Sequence, residues 1–111
     1  MNLVMVYLYN EDHLTDLVLA IAQVFENRAV VTDAMAESDQ LAADIPIFAD
    51  FSSAAGGRTY CKVIHTITQI AEPIPPLVAA LQEAGIDFRR EQLGAICVLP
   101  LKDCLMAEME L

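Results

Sequence analysis

The sequence predicts an α+β fold, with four strands and two helices in the order βαββαβ, and three observations predict it. The apolar run "LVMVYLY", Leu3 to Tyr9, passes at once into a stretch with the apolar spacing of a helix. The segment "RTYCKVIHTITQI", Arg58 to Ile70, alternates with period two as a strand does. Near the C-terminal end "LVAALQEAG" lies between prolines and a glycine, and the apolar "GAICVLPL" follows it.

Leu3 to Tyr9 is apolar at almost every position, which predicts a strand buried on both faces. In "NEDHLTDLVLAIAQVFENR", Leu14, Leu17, Val18, Ile21, Val24 and Phe25 form one stripe of a helix. Asn10 or Asp12 is the expected cap, and Glu11, Asp12 and Asp16 complement the positive end of the helix dipole. The β-branched stretch "RAVVTDAM", Arg28 to Met35, predicts a second strand. From Ala36 to Gly57 the signals conflict, and the segment reads as a long excursion, a feature that in compact domains is usually functional or disordered.

In the third strand Cys61, Val63, His65 and Ile67 share one face, and Tyr60, Lys62, Ile64, Thr66 and Thr68 the other. Pro73, Pro75 and Pro76 stiffen the start of the second helix, Leu77, Val78 and Leu81 face inward, and Gly85 suits a left-handed cap. "IDFRREQL" is a connector with room for a brief strand, and Pro100 closes the fourth strand. This order is that of the ferredoxin-like split βαβ arrangement, with both helices on one face of an antiparallel sheet.

Length and composition bound the function. At 111 residues the chain is one domain, residues 1–111, with a single core. An apolar share of 56% is more than so small a domain hides alone, and a first strand apolar on both sides leaves the helix-free face in need of cover. A homo-oligomer, as a trimer, is the expected cover. The net charge of −10 repels nucleic acid and anionic membrane. No apolar run reaches the ~18 residues of a membrane span, and "MNLVMVYLYNED" has no basic leader region, so a soluble, unprocessed cytoplasmic protein is expected. Cys61, Cys97 and Cys104, odd in number and widely spaced, fit reduced thiols.

Three patches carry a resemblance to a known family. "LYNEDHLTDLVLAI", "AVVTDA" and "GAICVLPLKD" resemble the opening strand-to-helix passage, the TVTEV second-strand motif and the terminal GKIFVLPVEE of the PII nitrogen-regulatory signal proteins and their PII-like relatives. In topology the resemblance spans the chain, and in sequence it rests on these patches. It implies a trimer that binds ATP or ADP in clefts between subunits and docks a long mobile T-loop on transporters and enzymes. The 36–57 excursion falls where that loop would be, with Ile45, Ile47, Phe48 and Phe51 as its apolar docking residues. Membrane contact is then expected only through a membrane-protein partner. The resemblance also implies modification of that loop, where Ser52, Ser53, Thr59 and Tyr60 bear hydroxyls.

The departures bear on the ligand. The family's GDGK phosphate loop corresponds to "QLGA", which keeps Gly94 and loses the lysine, and its paired terminal arginines correspond to Met106 and Glu108. The first threonine of TVTEV becomes Val30, and Thr32 matches the second. Replacing cations by a thioether and a carboxylate beside a triphosphate costs on the order of 1 kcal/mol per contact, so the family's usual ATP or ADP pose is not expected. Arg89 and Arg90, the only adjacent bases, could hold a carboxylate or phosphate bidentately, or simply pair with Glu83 or Glu91. The expected ligand site is Thr32, Arg89, Arg90 and Gly94 in an inter-subunit cleft.

No catalytic constellation is legible, and an enzyme is not expected. His13 sits in the first turn of a helix, where a surface imidazole is unremarkable, and Cys61 and His65 lie roughly 13 Å apart along an extended strand, too far to share a metal within one chain. Cys104, Met106 and Met109 match no zinc or copper signature, so no metal ligand is assigned. A metal-tolerance trimer of the same fold and a structural association module without ligand are the alternatives to a loop-docking regulator.

Overall fold

A computed structural model describes residues 1–37 and 58–107. It is an α+β fold: β1 (Asn2–Leu8), a 3-10 turn (Glu11–His13), α1 (Leu14–Phe25), β2 (Val30–Glu37), β3 (Arg58–Thr68), α2 (Ile74–Glu83) and β4 (Gly94–Pro100). The strands form one antiparallel sheet in the order β2-β3-β1-β4, compatible with the predicted ferredoxin-like arrangement. The excursion residues Ile45, Ile47, Phe48, Phe51, Ser52 and Ser53, and the terminal Glu108 and Met109, lie outside the described residues.

β1 is central because its apolar side chains can be used on both faces. Val4, Val6 and Leu8 are buried against Ile64 of β3, Leu17 and Ile21 of α1, and Leu77 and Leu81 of α2, so both helices cover this face. Each such side chain stabilises the fold by about 1.5–3 kcal/mol relative to exposure. The stripe predicted on α1 holds at Leu17, Ile21 and Phe25, while Ala20 joins the buried set and Val18 is half-buried.

The turns follow from residue chemistry. Asn10 accepts a hydrogen bond from the Asp12 amide at 3.0 Å and starts the 3-10 turn that leads into α1. After α1, Asn27 donates to the Ile67 carbonyl at 2.8 Å and accepts from the Arg28 amide, which ties the crossover to β3. Thr66, buried on the helix face, donates to the Arg28 carbonyl at 2.7 Å. Pro75 and Pro76 sit in the first turn of α2, where their missing N–H groups would have no helical acceptor. At its end the Ile86 amide reaches the Leu81 carbonyl and the Gly85 amide the Gln82 carbonyl, with Gly85 left-handed at φ 83°.

The connector after α2 contains no strand, contrary to the room left for one. Residues 86–93 are instead held as a turn by their own hydrogen bonds, which leaves no extended backbone to pair.

Among the described residues no helix lies on the opposite sheet face. Registry stacks Ile67, Leu3 and Leu99 in one row, Val30, His65, Met5 and Cys97 in the next, and Thr32, Val63, Tyr7 and Ala95 in a third. None of these is Asp, Glu, Lys or Arg. β1 is therefore not buried on both sides within one chain: Leu3, Met5 and Tyr7 are half-buried, and Val30 and Leu99 remain 50% and 46% exposed. Met106 and Ala107 reach only one corner of this face, beside Val30, His65 and Ile67.

Candidate functional site

The turn that follows α2 is anchored at both ends by burial. Ile86, Phe88 and Leu93 enter the core, and the Leu93 amide donates to the Phe88 carbonyl. Asp87 organises what lies between them: its carboxylate accepts from the Arg90 amide at 3.1 Å, its carbonyl accepts from the Glu91 amide, and its own amide donates to the Glu91 carboxylate at 2.8 Å. The Glu91 carboxylate also lies 3.7 Å from the His13 imidazole, beside the start of α1. Gln92 takes a left-handed φ of 53°, and its amide donates to the Arg89 carbonyl. The backbone that carries Arg89 is thus set before any ligand arrives.

Gly94 opens β4 where no other residue fits. A Cβ there would stand 1.7 Å from the Tyr7 carbonyl oxygen. The close approach lets the Tyr9 amide donate to the Leu93 carbonyl at 2.9 Å and brings Tyr9 over the turn.

Between this turn, α2 and β4 lies a groove of about 590 Å³. Ile74 and Val78 of α2 and Ile96 of β4 form apolar walls, and Phe88 and Tyr9 add aromatic surface. Arg89, Gln92 and Gly94 lie at the turn end, and Arg89 is the one charged side chain in the lining among the described residues. Among the described residues neither Arg89 nor Arg90 meets a carboxylate within 4.0 Å, so the pairing with Glu83 or Glu91 weighed from the sequence is not formed. Glu91 is engaged by His13 and the Asp87 amide instead.

The structure brings Arg89 and Gly94 of the predicted ligand set together in this groove. Arg90 is exposed and does not line it. Thr32 is exposed on β2, one edge of the sheet, while Gly94 is on β4, the other edge. Three strand spacings, about 14 Å, separate those edges, so Thr32 joins the other residues only if a second chain supplies it.

Sequence reasoning missed Tyr9, Ile74, Phe88, Gln92 and Ile96, and read Val78 as core. Gln92 had only its closeness to Arg89 in sequence as a signal, and the others only apolar or aromatic character, which does not separate a groove wall from the core. Lys62 had been read only as a strand residue. Its ammonium ion pairs with Asp33 of β2 and lies 3.8 Å from Glu11, with the pKa held above the usual lysine value, chiefly by the hydrogen bond to Asp33.

Cys61, Cys97 and Cys104 are free thiols, with Cys61 buried and Cys97 exposed. Among the described residues no group of three or more His, Cys, Asp or Glu side chains is placed to hold a metal ion. No helix among them is long and apolar enough to cross a membrane. Comparison with protein-family models and with curated proteins finds no match for the chain.

Proposed function

We propose that the chain is a PII-like, ferredoxin-fold regulatory protein that acts by binding rather than catalysis. It senses a small anion beside Arg89 and Gly94 and transmits the bound state to a partner protein through the 36–57 loop. The observation that carries the reading is Arg89, without a carboxylate partner among the described residues, on a hydrogen-bonded turn at the end of an apolar groove. A guanidinium carried on a turn whose backbone is already held, beside a concave apolar surface, favours an anion through its paired donors.

The unit that works is a cytoplasmic homotrimer. The helix-free face supports this, because three rows of uncharged side chains cross it and Val30 and Leu99 are about half exposed in the single chain. Face-to-face packing of copies buries such a surface, and a neighbouring copy would carry its Thr32 toward the groove. Ligand bound in that cleft shifts partner affinity by its differential affinity for the docking-competent state.

Three measurements test this reading. A thermal-shift panel of nucleotides, small carboxylates, inorganic phosphate and divalent metals should raise the melting temperature with at least one anion, and no anion response would refute sensing. Light scattering should give a trimer that Leu99→Glu dissociates without loss of helix signal. A stable wild-type monomer at micromolar concentration would refute the assembly. Deleting Asp44 to Ser53 should abolish partner pull-down and leave the trimer intact, and retained binding would refute loop docking.

A further inference from the structure

We infer that the groove between α2 and β4 selects a monoanion with an apolar, ring-sized body, an arylalkyl monocarboxylate in chemical class, and rejects nucleotides and dicarboxylates. The inference rests on the reading of the groove as a ligand site and adds what that ligand must be. Its volume of about 590 Å³ suits a small molecule rather than a peptide or a second domain. Its walls at Ile74, Val78 and Ile96 offer no hydrogen bonds, so the body that displaces water from them must be apolar. Phe88 and Tyr9 favour a planar ring, through offset or edge-to-face contact.

Charge fixes the other half of the ligand. Among the described residues Arg89 is the one cation in the lining, and no carboxylate lines the groove. One guanidinium neutralises one carboxylate through two parallel hydrogen bonds. A second negative charge would stand against apolar walls without a partner, in a chain whose net charge is −10. A triphosphate meets that obstacle more than once. Gln92 and Tyr9, also in the lining, bring polar groups without adding charge. Because the turn is held by Asp87 and Glu91, the backbone that carries the exposed Arg89 side chain is set without a ligand.

The test is calorimetry on the full chain with phenylacetate as probe, against benzyl alcohol, succinate, inorganic phosphate and ATP. Phenylacetate should bind once per chain and at least tenfold more tightly than benzyl alcohol, which lacks the charge. Arg89→Met should weaken phenylacetate at least tenfold, Arg90→Met should leave it unchanged, and Arg89→Lys should retain part of it. Val78→Asp, which places a carboxylate in the wall, should abolish it, with folding of each variant checked by its circular dichroism melt. Equal affinity in wild type and Arg89→Met would overturn the inference. Binding of ATP or succinate without phenylacetate would overturn it too while leaving anion sensing intact, and no binding by any anion would overturn both.

Discussion

Gly94→Ala is the substitution whose cost the structure defines most directly. The new methyl carbon would lie 1.7 Å from the Tyr7 carbonyl oxygen. Carbon and carbonyl oxygen approach no closer than about 3.3 Å even in favourable contacts, so the start of β4 must withdraw by ~1.6 Å. That movement opposes the Leu8 to Gly94 pairing and the 2.9 Å hydrogen bond from the Tyr9 amide to the Leu93 carbonyl. Crowding of this kind costs about 1–3 kcal/mol, and each weakened hydrogen bond about 1 kcal/mol, so the variant should lose about 2–4 kcal/mol. Gly85→Ala is the control: Gly85 is also left-handed, at φ 83°, but a Cβ there has nothing within 4 Å. Its cost is the backbone preference alone, about 1–2 kcal/mol. Urea denaturation of both variants, followed by circular dichroism at one protein concentration, measures the difference. If Gly94→Ala loses no more than Gly85→Ala, the close approach of β4 to β1 is not the constraint claimed for it.

Leu77→Ala, at a side chain with 0% exposure, should cost about 2–5 kcal/mol in the same assay, whereas Val78→Ala, one residue further along α2 in the groove wall, should cost clearly less. Asn27→Ala removes the bond to the Ile67 carbonyl and the acceptor for the Arg28 amide, and should cost about 1–2 kcal/mol. Lys62→Met should melt at a lower temperature than wild type, because Asp33 stabilises the charged lysine of the folded chain and raises its pKa above the ordinary 10.5. A raised lysine pKa gives stability that is complete below the unfolded value and lost as pH rises through the folded one. The melting-temperature gap between wild type and Lys62→Met should therefore be constant from neutral pH to about pH 10 and narrow above it. A gap that closes below pH 9 would refute the assignment.

The two helices and the strands β1, β3 and β4 were legible because each leaves a local trace. Leu17, Ile21 and Phe25 repeat at the helical period, Cys61 to Thr68 alternates, and Pro75, Pro76 and Gly85 mark the limits of α2. The second strand was placed two residues early, because "RAVVTDAM" has strand propensity from Arg28 while Asn27 and Arg28 are committed to the crossover turn by their bonds to β3. The brief strand allowed in "IDFRREQL" fails for a similar reason: Asp87 and Glu91 satisfy the turn's amides locally. Of the ligand set, Arg89 and Gly94 could be picked out by type, but their company could not. Tyr9 and Ile96 meet them only through the pairing of β1 with β4, which brings together opposite ends of the chain.

The sequence by itself determined which segments become strand or helix and which side chains are available for a core. β1 is apolar from Leu3 to Leu8, α1 carries one stripe, and proline and glycine set the ends of α2; these depend on neighbours a few residues away, where periodicity and φ preference act. Tertiary structure alone decided the sheet register, and with it the rows of uncharged side chains on the face away from α1 and α2 and the groove that Arg89 lines. It also decided that Thr32 and Gly94 stand on opposite sheet edges. The physical reason is that strand pairing joins residues distant in sequence, so each strand's own pattern shows what it buries and not what it will face.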